Sequence, residues 1–135
     1  MSEKRFVCVH GHFYQPPREN PWTGSVEPEA SAWPRHDWNE RVTEESYKPC
    51  TAARIHGEGH RIAELSNLFS RLSFNVGPTL MAWLEHGAPA VYRRILEADE
   101  ESRRRFGGKG SAIAQAYNHI ILPLANERDR RTQVH

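Results

Sequence analysis

The chain has 135 residues, of which 38% are hydrophobic and 10% aromatic, so it can furnish the core of one ordinary domain and is not a disordered tail. Eighteen Lys and Arg against seventeen Asp and Glu leave a net charge of +1, which provides no overall field to attract nucleic acid or an anionic membrane. We therefore expect a neutral partner, with neither nucleic acid nor a membrane.

Cysteine usage and the N-terminal segment bear on the compartment. Cys8 and Cys50 are too few for a disulfide framework and too far apart for a close-spaced metal knuckle. The apolar run before His10 is too short for a signal-peptide core or a membrane span. We expect a cytoplasmic protein, and because phosphate-loop and dinucleotide-binding glycines are absent from the sequence, we expect no cofactor.

The first predicted element is a short strand over residues 6–9, which are apolar and β-prone. Gly11, Pro16 and Pro17 are predicted to end regular structure after it. The polar side chains just past this strand are His10, His12, Gln15, Arg18 and Glu19. Barrels and open α/β sheets place their chemistry at such strand ends, so we interpret these residues as candidate site residues.

His10 and His12 stand two residues apart, so in an extended backbone their side chains point to the same side. Two imidazoles in this arrangement suit one metal ion or one sugar. The alternative is that one of them caps loop backbone while the other faces water.

Residues 16–47 are predicted to form a long ordered loop, since proline and glycine recur there without a periodic apolar pattern. Trp22, Trp33 and Trp38 argue against disorder, because disordered segments are poor in aromatic residues. Each ring suits stacking on a pyranose, or packing within the loop itself.

The middle of the chain is predicted to alternate helices and strands. Residues 59–69 carry apolar side chains at helical spacing, and residues 72–76 alternate as a strand that a Gly-Pro pair ends. A helix then starts at once, Pro89 opens another, and residues 97–105 are predicted to be its solvated, charged face. The predicted inward-facing side chains are Ile62, Leu65, Leu68, Phe69, Leu72, Phe74, Val76, Leu80, Trp83, Leu84, Val91, Tyr92, Ile95 and Leu96.

A third strand is predicted over residues 113–117, with His119 just past its end. This position favours convergence of His119 with His10 and His12, whereas the alternative is a core histidine satisfied by backbone. Asn126 is predicted to cap a last helix.

One more polar cluster lies inside the predicted loop. Asp37 and Glu40 could form a paired acid and base, or the start of a salt-bridged helix.

The predicted order of elements favours an α/β fold with about three parallel strands and intervening helices. Three parallel strands alone would leave two open edges and uncovered faces. We therefore expect residues 1–135 to be the first part of a larger barrel.

Three segments carry a resemblance to a known family. They are residues 10–22, HGHFYQPPRENPW, residues 74–80, FNVGPTL, and residues 114–124, AQAYNHIILPL. In this order they resemble the N-terminal part of glycoside hydrolase family 57, which contains α-amylase-like and related α-glucan enzymes. The resemblance implies that residues 1–135 are the N-terminal part of a single (β/α)7 catalytic barrel, whose remainder is expected beyond His135.

The resemblance also implies roles for particular residues. His10 or His12 corresponds to the family's histidine before Gln-Pro, although Phe13 and Tyr14 intervene here, and His119 corresponds to the histidine before Pro-Leu. The side chains expected to bind the α-glucan or other oligosaccharide are His10, His12, Gln15, Arg18, Trp22 and His119. The family's glutamate nucleophile and aspartate acid/base match no residue of this chain, so the 135 residues alone are expected to be inactive.

Two alternatives remain open. A metal-dependent amidohydrolase also places a His-x-His after its first barrel strand, although the sequence around Gln15 and His119 does not follow from that hypothesis. The non-enzymatic alternative is a carbohydrate-binding relic whose barrel has lost its carboxylates.

Overall fold

The computed structural model describes residues 4–134, which form a mixed α/β fold. The strands are β1 (His10–Phe13), β2 (Ala53–His56), β3 (Ile62–Ser66) and β4 (Ser73–Val76). The helices are α1 (Trp38–Val42), α2 (Lys48–Thr51), α3 (Pro78–Gly87), α4 (Pro89–Arg105) and α5 (Glu127–Val134), with a π-helical turn, Thr43–Tyr47, between α1 and α2. In this part of the chain, no helix is both long and apolar enough to cross a membrane.

Parallel pairing of β1 with β4 organises the centre of the fold. His12 is in register with Asn75, and the Gly77 backbone N–H donates to Phe13 O at 2.8 Å just past the strand ends. On the other edge of β4, Phe74 forms one parallel bridge with Ala112. The carboxyl ends of β1 and β4 therefore lie at the same edge of this sheet.

The predicted third strand over residues 113–117 is wrong. Only the bridge at Ala112 continues the parallel sheet, and Ile113 is already 52% exposed. The strands of a parallel sheet are normally covered on both faces, and residues 4–134 do not cover this segment. Within the same range the strands make two separate two-stranded sheets, and a barrel is not formed.

The predicted helix over residues 59–69 is also wrong. Its first part is β3, which pairs antiparallel with β2 as a hairpin, and its last part is a 3-10 turn over Leu68–Ser70. Ile62 and Leu65 are 52% and 66% exposed rather than buried. A few apolar residues at helical spacing do not separate a helix from a strand, and Gly59, at φ +67°, favours the turn that closes the hairpin.

Two boundaries near the N-terminus need correction. The first strand is His10–Phe13 rather than residues 6–9, so both histidines lie in the strand and not after it. Pairing with β4 outweighs the local breaking tendency of Gly11. The long loop ends at residue 37 instead of 47, because Asp37 caps α1, and Cys50, expected in a loop, lies in α2.

The strand over residues 72–76 and the helices after it are confirmed as β4, α3 and α4. Proline occupies the first turn of both helices, where its missing N–H costs no helical hydrogen bond. The buried core lies between these helices, β4 and the π-helical turn, and consists of Tyr47, Phe69, Phe74, Leu80, Leu84, Val91, Ile95 and Ala98. The last helix begins after Asn126, whose Oδ1 accepts from the Asp129 N–H at 2.9 Å, as predicted.

The expected charged face over residues 97–105 is confirmed. Exposed i,i+4 ion pairs join Arg104 to Glu100 and Arg105 to Glu101. Ala98 and Ser102 are the buried exceptions within this range. Ser102 Oγ donates to Asp99 O and accepts from the Ser111 N–H at 2.8 Å. This contact ties the segment beside β4 to α4.

Candidate functional site

The carboxyl end of the parallel pair holds a histidine fixed by its neighbour in the sheet. His12 Nδ1 lies 2.6 Å from Asn75 Oδ1, and the two residues are in register across β1 and β4. Because both strands are anchored by core residues, the orientation of the His12 ring is set by the sheet and not by a mobile loop.

His119 joins this position from a distant segment. Its backbone is left-handed, with φ 51°, and its Nε2 lies 2.7 Å from His12 Nε2. Its ring also stacks on Tyr14 with centroids 3.9 Å apart and an interplanar angle of 13°. Three rings from two segments therefore form one cluster, which we call the histidine cluster: His12, Tyr14 and His119.

The hydrogen-bond network determines which nitrogens carry hydrogen when both rings are neutral. Asn75 Oδ1 can only accept, so His12 Nδ1 donates to it and His12 Nε2 is an acceptor. His119 Nε2 then donates to His12 Nε2. This assignment leaves His119 Nδ1 without hydrogen, and able to accept from a ligand hydroxyl.

A pocket of about 280 Å³ opens beside the histidine cluster. Its walls are His12, Asn75, Gln115, Ala116, His119, Ile120 and Ile121. Of the described residues that line it, none is Asp, Glu, Lys or Arg. The pocket therefore offers neutral hydrogen-bonding groups beside apolar walls, which is the lining typical of sites for uncharged polar ligands.

His10 lies outside this pocket lining. Although it shares a strand with His12, its Nδ1 is paired with Ser73 Oγ at 3.0 Å, at the other end of the β1–β4 register. The structure thus brings together His12 and His119 and gives His10 a different partner.

Gln15 and Arg18 were both predicted to bind substrate, but their side chains form hydrogen bonds with other side chains of the protein. Gln15 Nε2 donates to Tyr47 Oη at 3.2 Å, and its Oε1 accepts from Arg18 Nη2 at the same distance. Arg18 Nη1 also donates to Glu29 Oε1 at 2.7 Å, and Glu29 in turn accepts from the Trp38 N–H. These contacts hold the long loop against the helices, and neither residue lines the pocket beside His12.

The three loop tryptophans have different environments. Trp22 and Trp33 are 92% and 79% exposed. Trp38 donates from Nε1 to Ser31 Oγ at 2.9 Å, and the Arg41 guanidinium lies 4.8 Å from the centre of its ring. Trp38 is thus part of the loop's own packing, whereas Trp22 and Trp33 leave their faces accessible.

Of the two alternatives for Asp37 and Glu40, the structure shows the start of a helix and not an acid–base pair. Asp37 Oδ1 accepts from the Glu40 N–H at 3.0 Å, and Glu40 Oε2 accepts from the His36 N–H at 2.8 Å. Buried Asp37 also pairs with His36 Nδ1 at 2.9 Å. Both carboxylates are committed to the start of α1.

Sequence reasoning missed Tyr14, Asn75 and Gln115. Asn75 had a usable sign, because it is a polar residue between two apolar positions of β4. Tyr14 and Gln115 had none, since only the tertiary contacts place them beside His119 and the pocket.

Burial shifts the pKa of two other groups. It raises the pKa of Tyr47 above its ordinary value of 10.0, while the hydrogen bond from Gln15 and the charge of Arg18 oppose this rise. Burial alone raises the pKa of the Cys50 thiol above 9.0. Tyr47 lies in the core and Cys50 packs against it, so these two pKa shifts do not mark the pocket beside His12 as reactive.

Within residues 4–134, no group of three or more His, Cys, Asp or Glu side chains is placed to hold a metal ion. Catalytic zinc sites use three protein ligands, which exceeds the two histidines that meet here. Comparisons with protein-family models, with curated proteins and with solved structures find no match.

Proposed function

We propose that this chain supplies the sugar-binding side chains of a retaining glycoside hydrolase or glucan transferase that acts on α-glucans. The observation that carries this proposal is the contact between His12 and His119 at the carboxyl ends of parallel strands. Enzymes with parallel α/β sheets and barrels build their active sites at this edge. The order β1, β4 and Ala112 across parallel neighbours supports, as part of the same proposal, an origin in the first part of a (β/α)7 barrel.

The chemistry of the pocket suits a neutral sugar. When both rings are neutral, His119 Nδ1 can accept from a hydroxyl, and the walls carry amides and aliphatic groups in place of charged side chains. In the glycosidase transition state the sugar ring gains positive charge. A neutral imidazole lone pair stabilises such charge more than it stabilises the ground state, so the histidines assist the reaction without breaking a bond.

The reacting carboxyls are proposed to come from other strands of the same barrel. Retaining hydrolysis requires two carboxyl groups about 5 Å apart on either side of the glycosidic bond. The described residues that line the pocket include no Asp or Glu. We therefore assign His12 and His119 to binding and no residue of this chain to the nucleophile or the acid/base.

Titration with maltotriose tests the proposal, with binding followed by saturation-transfer NMR and calorimetry. His12→Ala removes the partner of both Asn75 and His119, so we expect the affinity to fall about tenfold or more. His10→Ala, on the same strand but outside the pocket, is the matched control and is expected to stay within about twofold. Absence of maltotriose binding to the unaltered chain, or equal losses in the two variants, would contradict the proposal.

A further inference from the structure

Gln115 has hydrogen-bonding groups that the fold leaves unused. Its Nε2 and Oε1 are both shielded from solvent, and neither finds a hydrogen-bond partner within residues 4–134. A buried amide without partners is unfavourable, and such groups are rare in folded proteins unless water or a ligand satisfies them. The position of Gln115 therefore requires a physical explanation.

The Gln115 carboxamide lies between the histidine cluster and the start of α3. A Cβ built on Gly77 would lie 3.3 Å from Gln115 Nε2 and 2.7 Å from Tyr14 Cδ2. Gly77 has an ordinary φ of −61°, so the close approach of these two side chains, and not its backbone, is what requires glycine. One side of the amide is thus held against Gly77, and Gln115 also lines the pocket shared with His12 and His119.

We propose that Gln115 is the specificity-determining residue of this pocket and recognises two neighbouring hydroxyl groups of a neutral sugar. This inference rests on the proposed function. The amide would donate through Nε2 to one hydroxyl oxygen and accept through Oε1 from the next hydroxyl. The terminal torsion of glutamine is soft, so rotation about it can reorient both atoms when a ligand binds.

The donor and acceptor together define the class of ligand. Adjacent sugar hydroxyls can satisfy both atoms at once, because each hydroxyl donates and accepts. A carboxylate or a phosphate dianion offers acceptors alone, which would leave Gln115 Oε1 unpaired beside a negative charge. The pocket volume of about 280 Å³ is near the lower end of small-molecule sites, and therefore fits one sugar unit.

Gln115→Met tests this assignment, because methionine keeps the length of the side chain and removes both polar atoms. Without ligand, the unfolding temperature is expected to be unchanged or higher, since no protein hydrogen bond is lost. Affinity for maltotriose, measured by calorimetry, is expected to fall about tenfold to a hundredfold. Gln115→Glu keeps the acceptor oxygen and replaces the donor with a second acceptor, so its affinity for maltotriose is expected to fall as well.

The outcomes separate this inference from the proposal on which it rests. If the unaltered chain binds maltotriose and Gln115→Met binds it equally well, Gln115 does not determine specificity, while the sugar-binding proposal stands. If Gln115→Met lowers the unfolding temperature without ligand and leaves the affinity unchanged, its role is structural and the inference is overturned. Failure of the unaltered chain to bind maltotriose overturns both.

Discussion

His12 and His119 face each other through Nε2 atoms 2.7 Å apart, although 107 residues separate them in the chain. The sheet fixes one ring through Asn75, and Tyr14 stacks on the other. Asn75 in β4 therefore positions the His12 ring, and Tyr14, which directly follows β1, positions the His119 ring. This arrangement makes the pocket sensitive to small changes in packing around the strand ends.

Gly77→Ala is expected to disrupt the histidine cluster. The new methyl group would sit 2.7 Å from the Tyr14 ring, and its displacement costs about 1–3 kcal/mol of unfolding free energy. Gly57→Ala in the β2–β3 hairpin is the control, because its nearest contact, Ala63 Cβ at 3.2 Å, lies outside the pocket. Urea denaturation measures stability, and histidine side-chain NMR reports whether His12 and His119 still interact. A Gly77→Ala variant with unchanged His119 resonances would contradict this account.

Tyr47→Phe is expected to change how stability depends on alkaline pH. Burial raises the folded pKa of Tyr47 above 10.0, so the unfolded chain loses this proton first as pH rises. Stability linked to Tyr47 is full below pH 10.0 and is lost as pH rises through the folded pKa.

Free energies of unfolding measured between about pH 9 and about pH 11 should therefore fall more steeply for the unaltered chain than for Tyr47→Phe. Cys50 titrates with the same sign in both proteins, so the comparison isolates Tyr47. At neutral pH the variant loses the hydrogen bond from Gln15, which costs about 1 kcal/mol. If the free energy of unfolding falls equally steeply with pH in both proteins, Tyr47 ionises as freely in the folded chain as in the unfolded one.

Leu84→Ala tests the core between α3 and α4. Leu84 is 0% exposed, and loss of its side chain leaves a cavity that costs about 2–5 kcal/mol. Leu124→Ala is the matched control, since Leu124 is 82% exposed and its truncation is expected to cost less than about 0.5 kcal/mol. Chemical denaturation of both variants checks the difference. Similar losses at the two positions would place the core elsewhere.

Arg18→Lys is expected to loosen the long loop. The guanidinium reaches Glu29 and Gln15 at once, whereas a lysine ammonium provides one compact charge that cannot reproduce this fork. Limited proteolysis should cleave the loop faster in this variant. Arg128→Lys, at a side chain that is 91% exposed, serves as the control and is expected to leave the cleavage rate unchanged. Equal rates in all three proteins would mean that Arg18 does not restrain the loop.

The purified 135-residue chain is expected to lack α-glucan hydrolysis, because the pocket lining that the structure describes offers no carboxyl pair. Reducing-sugar release from soluble starch measures this directly, and clear activity would contradict the assignment of the carboxyls to other strands. Zinc content after dialysis addresses the amidohydrolase alternative. Stoichiometric zinc, together with catalysis that a chelator abolishes, would favour that hypothesis over the one proposed here.

Local sequence determined the helices whose first turns are marked by proline or by a capping residue. Proline in the first turns of α3 and α4, and Asn126 before α5, mark boundaries that do not depend on distant contacts. The alternation over β4 likewise placed a strand that is buried on one side. His12 and His119 could also be recognised as candidates from the chain alone, although His12 lies within β1 and residues 113–117 form no strand before His119.

Tertiary contacts decided the rest. The pairing of β1 with β4 moved the first strand onto His10–Phe13, and hairpin pairing made β3 a strand where local spacing favoured a helix. Contacts with Tyr47 and Glu29 engage Gln15 and Arg18 within the fold, whereas Gln115 lines the pocket. Hydrogen-bond partners and burial depend on which distant segments meet, and residue spacing along the chain does not contain that information.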